Sequence, residues 1–171
     1  MGISTDMFVK SYKANSKAKD KTFEEFIDRH ITTKYVPYLT KYTNCTDIVQ
    51  KTTHIKEGDR EIIKVDSALQ CIFFWMKLIE LYTDIEFNKE DVVGEYDKLK
   101  EIGAIETLIA NIPPAEMDEM TNILGMKMDD FYENEYSLHA LLYNIKESFS
   151  ISEEVINSVI EEIKNKVEIP K

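Results

Sequence analysis

The sequence predicts a mainly α protein: six to seven helices around a central buried helix at about 68–82, with one β-hairpin at about 51–65. Three observations carry this. Apolar residues recur at i, i+3 and i+4 in segment after segment, the period of a helix with one buried face. Leu69, Ile72, Phe73, Phe74, Trp75, Met76, Leu78, Ile79, Leu81 and Tyr82 make one stretch apolar almost all round, the pattern of a helix covered on several sides. One stretch alone reads as strand: Thr52, Thr53 and Ile55, then Ile62, Ile63 and Val65, flank Glu57-Gly58-Asp59. Gly58 can supply the positive φ of a tight hairpin turn.

Taken in order, residues 1–21 read as a flexible arm with few internal contacts, made basic by Lys10, Lys13, Lys17, Lys19 and Lys21. Residues 22–171 read as a single helical domain. Thr22 and Glu25 have the spacing of a capping box, and Phe23, Phe26, Ile27, His30 and Ile31 form the first stripe. Residues 32–36 are an extended linker, because Pro37 disfavours helix at Val36 and can itself begin one. Tyr38, Tyr42, Cys45, Ile48 and Val49 then share a face of a helix over 37–50. After the hairpin, Asp66 and Ser67 open the central helix, with Ser67 and Gln70 as a capping box.

Residues 83–87 alternate, as in a short strand or a turn. Asn88 is placed to cap a helix carrying Val92, Val93, Tyr96, Leu99 and Ile102, and Gly103 suits its C-terminal end. A shorter helix turns Ile105, Leu108, Ile109 and Ile112 inward. Pro113-Pro114 stops it, and Pro114 begins the next, with Glu116, Asp118 and Glu119 at its positive end. Gly125 is a candidate end for that helix. Tyr136, Leu138, Leu141, Leu142, Ile145 and Phe149 predict a further helix, and 153–167 a terminal amphipathic one with Val155, Ile156, Val159, Ile160 and Ile163 on its stripe.

Composition bounds the function. The net charge is −11, and residues 84–135 hold fifteen acidic residues against four lysines. Nucleic-acid backbones need clustered Lys and Arg, so they are disfavoured partners. The acidity suits either a solvated surface or a docking face for a basic partner. The most apolar stretch is too short to span a bilayer, which takes about 20 residues. Cys45 and Cys71 make no disulfide framework, and no secretory signal is apparent, so a reducing, cytoplasmic setting is expected.

Catalytic and metal chemistry is sparse. His30, His54 and His139 each lack a second His or a Cys at ligand spacing. Asp129, Asp130 and Glu133, with Glu135 nearby, form the densest acidic cluster. Their spacing puts them on adjoining helix surface, where carboxylates can hold Mg²⁺ or Ca²⁺ or form a solvated face. No glycine-rich phosphate loop and no nucleophile elbow occur. Met117, Met120, Met126 and Met128 suit core packing or an adaptable contact surface. The expectation is no catalytic residue, no cofactor and no bound metal.

Tyr35-Val36-Pro37-Tyr38, Ile48-Val49 and Leu81-Tyr82-Thr83-Asp84-Ile85 form stations in one order along the chain. Ile112-Pro113-Pro114-Ala115-Glu116, Met128-Asp129-Asp130 and Asn134-Glu135 continue it. Over 35–149 the chain resembles small acidic helical proteins encoded in the structural (head/tail) gene modules of phages of Gram-positive bacteria. The resemblance supplies no catalytic residues. It implies a tail assembly chaperone or a head–tail or capsid accessory component, partnered by phage structural proteins or its own copies, in the host cytoplasm during assembly or in the virion. Two other classes stay open: an acidic inhibitor of a host nucleic-acid-binding protein acting as a DNA mimic, and a metal-dependent enzyme using Asp129, Asp130 and Glu133.

Overall fold

A computed structural model describes residues 2–17, 21–57, 60–135, 137, 141–142, 155, 157–158 and 160–162. The chain is mainly helical. It divides into two compact units, Met1–Lys127 and Met128–Lys171, rather than an arm followed by one domain over 22–171.

The N-terminal segment corrects the sequence reading most. A two-residue strand, β1 (Ile3–Ser4), leads into helix α1 (Thr5–Asn15). Phe8, Val9 and Tyr12 lie at i, i+1 and i+4, a short apolar stripe between lysines. Phe8 is fully buried and Tyr12 nearly so, and the Tyr12 hydroxyl bonds the Thr107 hydroxyl at 2.9 Å. Of the lysines that suggest an arm, Lys10 and Lys13 form the outer face of this packed helix and stay in water while its aromatic face goes in, and Lys19 lies outside the described residues. β1 pairs in parallel with β4 (Ile85–Glu86), Ile3 opposite Ile85, and the Ile3 N–H reaches the Asp84 carbonyl at 2.8 Å.

Helix α2 (Lys21–His30) buries Phe26 and Ile27. Beyond an extended stretch, α3 (Tyr38–Thr53) begins directly after Pro37, whose fixed φ suits a helix start. It runs three residues past the expected Gln50. The hairpin follows as β2 (His54–Glu57) and β3 (Arg60–Ile63), antiparallel with His54 opposite Ile63. Gly58, expected at its turn, lies outside the described residues. Helix α4 (Ser67–Tyr82) is capped by Asp66, whose carboxylate accepts the Leu69 N–H at 2.9 Å, instead of by the Ser67–Gln70 box. Its burial is uneven. Phe74, Met76, Leu78, Ile79 and Tyr82 are buried, whereas Ile72, Phe73, Trp75 and Leu81 are partly covered and Cys71 is exposed.

Helix α5 (Val92–Glu101) takes its cap from Asp91, which accepts the Gly94 N–H at 3.1 Å. Asn88 serves the turn before it, accepting the Glu90 N–H. Gly103 adopts φ 70° between α5 and α6 (Ala104–Ala110). That left-handed conformation favours glycine, as the sequence indicates. Helix α7 (Pro114–Asn134) begins at the second proline and runs through Gly125 without ending: glycine lowers helix propensity by only about 1 kcal/mol.

Two buried clusters form in Met1–Lys127. One gathers Phe8, Tyr12, Phe26, Ile27, Met76, Ile79, Ile85 and Leu99 with the α6 residues Ala104, Ile105 and Leu108. The other gathers Val36, Cys45, Ile48, Phe74, Leu78, Tyr82, Ile112, Met120 and Ile123. In the second unit, Phe131 and Leu142 are buried and Leu141 exposed. Residues 155, 157–158 and 160–162 are helical. The rest of the two helices expected after 135 lies outside the described residues. Among those described, no helix is long and apolar enough to cross a membrane.

Candidate functional site

The densest buried chemistry centres on Lys41, which sequence spacing did not single out. Of the stripe expected along α3, Cys45, Ile48 and Val49 are buried but Tyr38 and Tyr42 are exposed, and Lys41 precedes Cys45 and Ile48 at helical spacing on the buried side. Lys41 therefore stands where an apolar residue is expected, and its side chain is fully buried. Its Nζ lies 2.8 Å from Glu116 Oε2 and also contacts Glu119. Glu116 and Glu119 are one turn apart at the start of α7. The same Glu116 Oε2 accepts the Tyr82 hydroxyl at 2.7 Å and the Val36 N–H at 2.9 Å. A single carboxylate thus ties the extended stretch before α3, α3, the end of α4 and α7. Cys45 adds a contact from Sγ to the Met120 carbonyl at 3.6 Å.

The charges follow from this geometry. Burial pushes the Lys41 ammonium down, but its hydrogen bonds and charge contacts with Glu116 and Glu119 outweigh that and hold it above the ordinary lysine value. Burial pushes Glu116 up, and the bonds from Lys41, Tyr82 and the Val36 N–H outweigh it, leaving the carboxyl below its usual value. Tyr82 is driven upward by burial and then by the Glu116 carboxylate. Burial alone lifts the Cys45 thiol to about 11. The cation is matched, the carboxylate is donor-saturated on one oxygen and the phenol stays neutral: the arrangement of a fastening. The signal in the sequence is a lysine on an apolar stripe together with a carboxylate pair one turn apart after Pro113-Pro114.

Directly outside this fastening lies an aromatic surface. Tyr35, Tyr38, Leu39 and Tyr42 are 65%, 50%, 72% and 38% exposed. Tyr38 and Tyr42 stack with centroids 6.4 Å apart at 28°. The Lys127 ammonium sits 4.6 Å from the Tyr42 ring centre, and that of Lys41 5.7 Å from the Tyr35 ring centre. Tyrosine on a rigid helix offers large contact area at small entropic cost, and a cluster of this kind is enriched at interface hot spots.

The residues weighed from sequence are not brought together. His30 Nδ1 bonds Asp84 at 2.7 Å, its ring edge-on to Phe8 and Phe26. His54 Nδ1 meets the Thr53 hydroxyl at 2.9 Å. His139 lies outside the described residues. Asp129, Asp130 and Glu133 are exposed along α7, and among the described residues no group of three His, Cys, Asp or Glu is placed to hold a metal. The methionines disperse: Met120 is buried, Met126 exposed, Met117 and Met128 intermediate. Compared with protein-family models, with curated proteins and with solved structures, the chain matches none of them.

Proposed function

We propose that this is a non-enzymatic protein that works by protein–protein contacts, as a virion-assembly or structural component of a phage: a tail assembly chaperone or a head–tail or capsid accessory protein. The observation that supports a contact role is the exposed Tyr35–Tyr38–Leu39–Tyr42 surface held on the buried Lys41–Glu116–Tyr82 fastening. Exposed aromatic side chains cost solubility unless something covers them, and anchoring them on a fixed backbone lowers the entropy lost on binding. The phage setting rests on the sequence stations over 35–149, two of which, Tyr35-Val36-Pro37-Tyr38 and Ile112-Pro113-Pro114-Ala115-Glu116, supply parts of the patch and the fastening.

The test is co-purification from phage-producing cells, with mass spectrometry of assembly intermediates and finished particles. The wild-type chain is expected with a tail or capsid protein, and a Tyr38→Ala, Leu39→Ser variant without it. Wild-type protein lacking any structural-protein partner, or a variant that retains one, overturns the reading.

The acidic-inhibitor reading draws on the net charge of −11. Several acids of 84–135 are already engaged, Asp84 by His30, Glu95 by Lys98, Glu106 by Lys100, and Glu116 and Glu119 by Lys41, which leaves that stretch less free charge than its composition suggests.

A further inference from the structure

A second surface in Met1–Lys127 lies between α3, α4 and the segment leading into α5. It is a cavity of about 180 Å³. Ile48, Phe73, Met76, Phe87 and Val92 give it an apolar floor. Phe73, Met76, Lys77 and Glu80 follow i, i+3, i+4 and i+7 along one side of α4, so the groove runs about two helical turns, or about 10 Å. Its volume compares with the roughly 150 Å³ cavity that admits a benzene ring, enough for one large apolar side chain.

The rim has its own charge. Lys51, Lys77 and Lys89 stand against Asp47 and Glu80. Lys51 pairs with Asp47 at 2.9 Å, Lys77 pairs with Glu80, and Lys89, 83% exposed, is left with Glu80 at 3.7 Å. One carboxylate is shared by two lysines, so the residues that line the cavity hold one lysine more than carboxylates. A polar hollow of about 370 Å³ adjoins the cavity, shares Asp47 and Lys51, and extends to Gln50 and His54. Cavity and hollow together are longer than one apolar group needs.

The geometry points to a docking groove for a short extended segment of a partner protein, in which one bulky apolar side chain fills the cavity and flanking acidic residues meet Lys89, Lys77 and Lys51. An extended chain advances about 3.3 Å per residue, so about three residues span the stripe on α4. The apolar side chain supplies affinity by leaving water; the lysines supply selection by sign. The choice of a peptide as occupant rests on the protein-contact reading above.

The test is an NMR titration of the full-length, ¹⁵N-labelled chain with an end-blocked Asp-Asp-Phe-Asp-Asp peptide. Saturable shifts are expected at 47–51, 73–80 and 87–92. Replacing the peptide's Phe with Ser is expected to weaken binding about tenfold or more. Lys89→Glu weakens it about threefold and strengthens binding of the Lys-Lys-Phe-Lys-Lys peptide. Val92→Phe, which fills the cavity, removes binding of either peptide; should that variant misfold, the charge exchange at Lys89 carries the test alone. Equal binding of both peptides to the wild type, shifts confined to residues 35–42, or phenylpropionate binding as tightly as the peptide each overturn the inference. The last of these assigns the groove to small carboxylates and leaves the assembly test of the aromatic surface unaffected.

Discussion

The two buried clusters of Met1–Lys127 are held by different physics. The first is aromatic and aliphatic: Phe8 stacks on Phe26 with centroids 5.7 Å apart, Tyr12 meets Phe23 edge-on, and Leu99, Ala104 and Leu108 are fully buried. Its polar members sit at the margin, His30 with Asp84 and Tyr12 with Thr107. The second cluster encloses a cation. Lys41, Glu116 and Tyr82 run into it beside Leu78, Met120 and Ile123. Apolar packing is non-directional and tolerates rearrangement if volume is kept. A buried ion pair adds little net stability but penalises every arrangement that leaves a charge unmatched. Cohesion dominates the first cluster; in the second, one relative placement of α3, α4 and α7 is fixed, and that placement presents the exposed tyrosines.

That contrast can be broken at either end. Phe8→Ala is expected to cost about 3–5 kcal/mol, the range for truncating a fully buried phenylalanine, read by urea unfolding. A loss below about 1 kcal/mol returns α1 to the status of a loose arm. Lys41→Met is expected to cost on the order of 3 kcal/mol, because two carboxylates lose their cation. Lys41→Met with Glu116→Gln and Glu119→Gln is expected to recover most of that loss; no recovery means that the lysine serves packing alone.

The second cluster also carries a pH signature. Glu116 has a folded pKa below its ordinary 4.5, so the unfolded chain binds more protons as the pH falls past that value. Its stabilisation is complete above about pH 4.5 and is lost as the pH drops through the folded value. Melting temperatures from pH 6 to pH 3 are expected to fall more steeply for the wild type than for Glu116→Gln. Parallel curves remove Glu116 from the account of acid unfolding.

Two smaller effects are expected outside the buried clusters. Gly103 has φ 70° and open space where a Cβ would stand, so Gly103→Ala is expected to cost about 1–2 kcal/mol from backbone strain alone. Tyr38→Ala is expected to change stability by under about 0.5 kcal/mol, as an exposed substitution does, while removing partner association. A large loss of stability in that variant makes the tyrosine a core residue and withdraws its role at the surface.

Much of the fold is legible because it depends on local pattern. The period of 3.6 marks α3 through Cys45, Ile48 and Val49, and α5 and α6 through Leu99, Ile105 and Leu108. Pro37 and Pro113-Pro114 mark starts and stops, and Gly103 marks the one left-handed corner that the described residues hold at a glycine. Caps are less legible. Asp66 and Asp91 act where Ser67 and Asn88 are equally good candidates by type, since side-chain direction at the first turn decides which oxygen reaches an N–H.

The helical class, the hairpin and most core positions follow from spacing within a few residues, and so they can be read from the chain before it folds. Tertiary structure decided the rest. It decided that Phe8 and Tyr12 bury α1, since so short a stripe among lysines is stable only where a partner surface waits for it. It also decided that Lys41, Glu116 and Tyr82 meet across 75 positions of chain. No local pattern encodes the pairing of a buried cation with two carboxylates, because its energy exists only once water has been excluded from between them.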